Sequence, residues 1–320
     1  MQGGFRTRKA STAAGLGLCA LLSSLSHAGG PGQTQIPSRL NDFRLPGTQP
    51  EMLNTDIQSS ESCASCHGFI DESSEPFKNW AASMMGQSMR DPLFLAAMTI
   101  ANQDAAFAGD LCLRCHTPGG WLDGRSTPTD GSALTDIDRR EGINCNFCHR
   151  MVDPEYQAGV SPLVDFDILD NLGVDAPTVA QSHSGAYVVD PEDRRRGPVD
   201  LGEFATHEWE ISPFHSSSSM CATCHDVSNP MYTAQPDGTY TLNDLNTPHP
   251  TNNVYDTFPV ERTYSEWVMS EFAQNPVAIG DRYETTLAEV SSCQDCHMPE
   301  VEAKSCQFGE VRSDMSVHSF

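Results

Sequence analysis

Cys63-Ala-Ser-Cys-His67 is the first of five Cys-x-x-Cys-His segments in this chain. The others are Cys112-Leu-Arg-Cys-His116, Cys145-Asn-Phe-Cys-His149, Cys221-Ala-Thr-Cys-His225 and Cys293-Gln-Asp-Cys-His297. This pentapeptide is the attachment site of c-type haem: two thiols add to the porphyrin vinyl groups, and the next imidazole becomes the proximal iron ligand. Two intervening residues bring both sulfurs to one side of a single turn, with the histidine reaching under the ring. Ten of the twelve cysteines are consumed in this way. A zinc site needs such units in pairs and no histidine after each, and a disulfide framework has no reason to place one there. The expectation is five covalent haem c groups. Cys63, Cys66, Cys112, Cys115, Cys145, Cys148, Cys221, Cys224, Cys293 and Cys296 attach them, and His67, His116, His149, His225 and His297 are the proximal ligands.

Length alone, 320 residues, would suggest two domains. Five porphyrins replace much of the usual core, so the chain need only line them, in keeping with a mean hydropathy of −0.40. The fold class expected is mainly α with extensive loops and minor β: short helices wrapped around a haem array. The formal charge of −24 repels nucleic acid and anionic lipid and attracts basic partners or cations, or simply keeps an exported protein soluble.

Residues 1–28 read as a secretory signal peptide. Arg6, Arg8 and Lys9 form a basic start, Leu16 to Leu25 an apolar stretch too short to span a bilayer, and Ser26-His27-Ala28 a cleavage site. A lipoprotein reading through Cys19 is weaker, because bulky Leu18 precedes it. No other segment approaches a transmembrane helix in length, so a periplasmic, extracellular or cell-surface location is expected. Residues 29–60 form a Gly-, Pro-, Gln- and Ser-rich extended leader across the surface, and 61–320 a single pentahaem domain with sub-clusters at about 61–150 and 207–320. Helices are expected at Pro76–Met89, Pro92–Asp104 and Thr263–Gln274. The long interval from Met151 to Thr206, with its charged run Asp190-Pro-Glu-Asp-Arg-Arg-Arg196, reads as loops and short strands.

Three segments share Trp-x-x-Ser-x-(Met/Phe): Trp80-Ala-Ala-Ser-Met-Met85, Trp209-Glu-Ile-Ser-Pro-Phe214 and Trp267-Val-Met-Ser-Glu-Phe272. They read as helix pieces covering porphyrin edges, or as deliverers of a distal ligand. The sixth iron ligands decide between a wire and an enzyme. Outside the signal peptide and the motifs five histidines remain, His183, His207, His215, His249 and His318, and they are the distal candidates for bis-His ligation of all five irons. Met85 is the alternative distal ligand for the first haem, where a thioether would raise the potential. Cys306 is the odd thiol, read as buried and inert or as an intermolecular disulfide.

The segments Leu113-Arg-Cys-His-Thr-Pro-Gly-Gly-Trp121, Glu141-Gly-Ile-Asn-Cys-Asn-Phe-Cys-His-Arg150 and Met220-Cys-Ala-Thr-Cys-His-Asp-Val-Ser-Asn-Pro230 resemble exported multihaem c-type cytochromes, broadly the tetrahaem and octahaem proteins related to hydroxylamine oxidoreductase. That resemblance implies haems packed in near-parallel and perpendicular pairs, with distal histidines from remote segments. The chain departs from it in having no Cys-x-x-Cys-Lys site. It also ends at Asp314-Met-Ser-Val-His-Ser-Phe320, a stretch that relatives commonly continue, so a short version or fragment is one expectation. The function expected is electron transfer through five haems in respiratory or extracellular electron flow, between redox partner proteins such as other cytochromes. One alternative is an oxidoreductase acting on a small nitrogen or sulfur compound at one open haem. Another is a subunit of a homo-oligomeric cytochrome polymer or an outer-membrane conduit.

Overall fold

Each attachment motif folds as a short helix, and the rest of the chain is built around those five. The computed structural model describes residues 34–173, 182–202, 206–251, 253–280 and 285–320, so the signal peptide expected at 1–28 lies outside the described residues. The N-terminal half is helical: α1 (Ser60–His67), α2 (Pro76–Ala82), α3 (Met84–Gln87), α4 (Pro92–Asp104), α5 (Gly109–His116), α6 (Pro118–Leu122), α7 (Asp136–Glu141) and α8 (Cys145–His149). Strands then enter: β1 (Met151–Val152), α9 (Leu163–Asn171), β2 (Val188–Val189), β3 (Arg195–Gly197), β4 (Trp209–Ile211), α10 (Ser218–His225), β5 (Val227–Ala234), β6 (Tyr240–Leu242) and β7 (Thr257–Glu261). The chain closes with α11 (Thr263–Val268), α12 (Glu271–Gln274), β8 (Val277–Ala278), β9 (Glu289–Val290), α13 (Cys293–His297), β10 (Glu300–Ala303) and β11 (Arg312–Ser316). The class is mainly helical with loops and minor sheet, as expected.

Sheet is confined to small ribbons. β5 pairs antiparallel with β6 and β7, β3 pairs in parallel with β4, and β1–β2, β8–β9 and β10–β11 are two-stranded. The core lies among α4, α5, α6 and α8, where Met89, Phe94, Met98, Leu113, Trp121, Phe147 and Tyr187 pack together. Leu113 and Phe147 are the variable residues inside the second and third motifs, at 0% and 1% exposure. In these two motifs a residue between the cysteines is thus a core residue. The segment before α1 is stitched into this core: Phe43 and Leu45 are buried, Thr48 N donates to the Tyr187 carbonyl at 2.9 Å, and Gln58 N donates to Asn146 Oδ1 at 3.0 Å.

α4 keeps its expected bounds because Asp91 caps it, accepting from Leu93 N, and Pro92 opens it, while Phe94 and Met98 make an i, i+4 buried face. Pro76–Met89 and Thr263–Gln274 do not run as single helices. Ser83 is extended at ψ 161°, donates its hydroxyl to the Trp80 carbonyl at 2.7 Å and accepts from Gly86 N at 3.2 Å, closing α2 and capping α3. Ser270 divides α11 from α12 in the same way, with ψ 165° and a 2.7 Å bond to the Trp267 carbonyl. The interval from Met151 was expected to hold no helix, but α9 forms there. Val164, Ile168 and Leu172 are spaced i, i+4, i+8 against Val152 and Val188, the signal that could have revealed it. Trp209 is corrected from helix piece to strand residue, in β4.

Candidate haem centres

In each motif helix the two cysteines and the histidine fall at i, i+3 and i+4 and share a face. Side-chain caps fix four of the helix starts. Ser59 caps α1, Asn144 accepts from Phe147 N at 2.9 Å, Ser217 caps α10, and Ser292 with Asp295 makes a capping box on α13. Three motif histidines bond a backbone carbonyl through Nδ1: His67 to Ser305 at 2.8 Å, His116 to Ser88 at 3.3 Å and His149 to Arg196 at 2.7 Å. A proton held at Nδ1 leaves the Nε2 lone pair for a metal and orients the ring. Burial is the largest influence on His116 and His149 and lowers their proton affinity, so they stay in the neutral form that ligation requires. These residues fit covalent haem c.

The motifs are neighbours in space. The Cys63 and Cys145 side chains lie close together, as do those of Cys115 and Cys224 and those of Cys221 and Cys293. Charge at Cys148 is felt at both Cys221 and Cys224. The attachment edges thus form one connected network, with the third and fourth motifs at its centre and the first, second and fifth around them. The neighbouring Cys221 is the leading cause that pulls the free Cys293 thiol down to about 6, while Cys221 is pushed well up.

Of the remaining histidines, three gather near the first and third motifs. The His215 ring is 5.8 Å from that of His149 and the His318 ring 6.1 Å from it. His207 is near enough to His67 and His149 for their charges to oppose one another. Metal–nitrogen distances of about 2 Å place two imidazoles that flank one iron with ring centres about 6 Å apart. His318 holds the Ser316 carbonyl through Nδ1 at 3.0 Å, so its Nε2 is the ring nitrogen left over. His215 donates from Nε2 to the Cys148 carbonyl at 2.9 Å, and its buried Nδ1 has no hydrogen-bond partner. Burial pushes the pKa of His215 down to about 3 and that of His318 down to about 4, keeping both neutral.

His183 is buried beside α10, where Ser184 N donates to the Asp226 carbonyl and Gly185 N to the Thr223 carbonyl. Gly185 has φ +76°, and a Cβ there would stand 3.1 Å from both the Arg114 side chain and Cys115 Sγ, so only glycine lets this segment pass the second motif. His249 lies apart from the motifs, with Nε2 on Thr233 Oγ1 at 3.0 Å and Nδ1 accepting from Thr251 N at 3.3 Å. Met85 sits half-buried in α3, its carbonyl accepting from Ile143 N at 3.2 Å, whereas Met89 is in the core. Cys306 is half-buried rather than buried, in a loop whose neighbours bond the first motif: Gln307 N donates to the Cys66 carbonyl at 2.8 Å.

Sequence reading missed the buried charges behind the third motif. Arg196, whose carbonyl holds His149, is fully buried and paired with Asp165 at 2.6 Å and Asp190 at 2.7 Å. A cavity of about 510 Å³ also adjoins α10 on the face away from its cysteines, lined by Asp153, Glu155, Phe214, Asp226, Tyr255 and Tyr264 among others. Burial raises Asp153 to about 6. Its folded form therefore holds a proton that the unfolded chain has lost between about pH 4 and pH 6, so stability falls as pH rises through that window. Asp153→Asn is expected to raise the melting temperature at pH 7.5, by an amount equivalent to about 1 kcal/mol once solvent screening is allowed for, with no gain at pH 4. Thermal melts at both pH values check this.

A family model described as cytochrome c554 and c-prime matches residues 62–150, the stretch that carries the first three motifs. That match supports a multihaem c-type cytochrome. No curated protein matches the chain. Among solved structures, a penta-haem cytochrome c552 from Thermochromatium tepidum is similar at 19% identity, over 82% of this chain and 56% of that one, with a TM-score of 0.40. This chain thus spans little more than half the length of that protein. Among the described residues no helix is long and apolar enough to cross a membrane.

Proposed function

We propose that this chain is an exported electron carrier with five covalent haems, which passes electrons between redox proteins without making or breaking bonds. The observation that carries this reading is the connected set of thiol contacts, Cys63 with Cys145, Cys115 with Cys224 and Cys221 with Cys293, joined through Cys148. Tunnelling rates fall exponentially with edge-to-edge distance, so adjacent attachment edges favour rapid exchange across all five sites. Haem supplies the redox chemistry. The protein's own residues fix the rings, exclude water and keep both imidazoles of a pair neutral.

Within this reading His318 is the distal partner of His149, His183 serves the second or fourth centre, and His207, His215 and Met85, the last at the first haem, are the candidates for the other three irons. His249 is structural, because hydroxyl and amide partners occupy both its ring nitrogens. The basic start and apolar stretch of residues 1–28 support export, and the segments quoted around the motifs support a place near the hydroxylamine oxidoreductase relatives. The test is holoprotein made with c-type haem maturation. Its mass is expected to show five haems and its ferric spectrum to be low-spin; four haems or fewer in fully processed protein would overturn the count.

The cavity beside α10 favours one second reading, an oxidoreductase acting on a small nitrogen or sulfur compound. Asp226, Tyr255 and Tyr264 line it and offer acidic and phenolic groups for proton delivery next to the fourth motif. Carbon monoxide binding by the reduced, undenatured wild-type protein would favour that reading over the carrier.

A further inference from the structure

Two constellations remote in sequence repeat one another bond for bond. In the first, Ser60 of α1 accepts through Oγ from Cys145 N, the opening residue of α8, at 3.1 Å. In the second, Ser218 of α10 accepts from Cys293 N, the opening residue of α13, at 2.9 Å. Each serine stands three residues before the first cysteine of its own motif. The N–H groups of a helix's first turn lack intrahelical partners, and here the neighbouring haem helix supplies one.

A tryptophan closes the same junction from the other side. Trp80 Nε1 donates to the Ile143 carbonyl at 2.7 Å and Trp267 Nε1 to the Ser291 carbonyl at 2.8 Å, in both cases two residues before the captured cysteine. The indoles are held alike, by the Ser83 and Ser270 hydroxyls on their carbonyls. A glutamine seven residues on also returns to the next carbonyl, Gln87 to Ala81 at 2.7 Å and Gln274 to Val268 at 3.0 Å. The intervening chain is unrelated: α4 to α7 separate Trp80 from Cys145, whereas β5 to β7 separate His225 from Trp267. Trp209, the third bearer of the sequence pattern, is in a strand and has no such partner role.

We propose that Ser60 with Trp80, and Ser218 with Trp267, are positioning residues of two equivalent haem-pair clamps. One sets the first haem against the third, the other the fourth against the fifth, and the second haem belongs to neither. This rests on the electron-carrier reading and deepens it: the array is two closely coupled pairs bridged through the third and fourth motifs. The captured groups are backbone atoms at the start of the helix that carries the partner haem, so loosening them tilts one ring against the other without releasing either, since the thioether bonds remain.

The test uses the full holoprotein and the bisignate Soret circular dichroism that coupled haems produce, normalised to haem content. The paired variants Ser60→Ala/Trp80→Phe and Ser218→Ala/Trp267→Phe are each expected to lose a large part of that amplitude with five haems retained, and their losses to add when combined, as distant sites do, leaving the share of the second and fourth motifs, which meet at Cys115 and Cys224. Ser60→Thr and Ser218→Thr, which keep the hydroxyl, are expected to retain it, and Trp209→Phe to leave it unchanged. Wild-type amplitude in either paired variant at full haem content overturns the proposal. If a paired variant does not mature, Trp80→Phe and Trp267→Phe alone, which remove the indole N–H and keep an aromatic ring, decide by the same measurement. Reduction kinetics of the wild type separate the two ideas. Haems that fail to equilibrate there sink the carrier reading, whereas an unchanged couplet in the variants sinks the clamps.

Discussion

Replacing Cys145 and Cys148 together by alanine is expected to remove one haem and to strand another. The third motif is the link between the first, through Cys63 and Cys145, and the fourth, through Cys148 facing Cys221 and Cys224. Without a haem there, the first haem has lost its neighbour. Rapid mixing with a reductant that enters at the far end should show one of the four surviving haems moving from the fast phase to a separate slow one. The comparison is Cys293→Ala/Cys296→Ala, which removes a haem from the edge of the network, where Cys293 touches Cys221 alone among the other motifs' thiols. That variant should lose one haem's amplitude and keep a single fast phase. The core should tolerate the first substitution, because Phe147 between the two cysteines stays packed on Tyr187 with ring centres 4.9 Å apart. Identical kinetics in the two variants would mean that the third motif is no bridge.

The shared helical turn of each motif was legible because the chemistry it implies is local: two thiols and an imidazole must share one turn, whatever the rest of the chain does. The mainly helical class followed from the same motifs. What stayed hidden depends on contacts remote in sequence. Nothing in Ser83 or Ser270 announces a helix break, since each sits in an apolar stretch that would continue; the break comes from a hydroxyl turned back onto a tryptophan carbonyl. The Trp-x-x-Ser pattern was visible at three places, yet only Trp80 and Trp267 face a motif helix start, because Trp209 is drawn into a parallel pairing with Arg195. Arg196 was read only as the end of a charged run in loops and short strands. Asp165 from α9 and Asp190 make it a buried partner of the third motif instead, and α9 itself went unread. Counting spare histidines gave a number but no assignment, and His249 and His318, both in that count, have opposite surroundings.

That contrast yields the second large effect. His318→Ala is expected to leave five haems attached, because the thioether bonds hold each ring whatever its axial ligands do. It should convert one iron from six- to five-coordinate. The His318 ring lies 6.1 Å from that of His149, its Nδ1 is held by the Ser316 carbonyl, and burial keeps it neutral, so its Nε2 is the atom that the substitution removes. Reduced variant should bind one equivalent of carbon monoxide per protein, and the ferric form should gain one high-spin signal. His249→Ala should do neither, since Thr233 and Thr251 occupy its ring nitrogens; it should instead cost about 1 kcal/mol of stability through lost hydrogen bonds near β5. His215→Ala decides the remaining competitor for the same iron, because its ring is also within 5.8 Å of His149 but its Nε2 is committed to the Cys148 carbonyl. If His215→Ala binds carbon monoxide while His318→Ala stays low-spin and inert, the distal ligand of the third haem is His215 through its unpartnered Nδ1, and the C-terminal strand only covers the site.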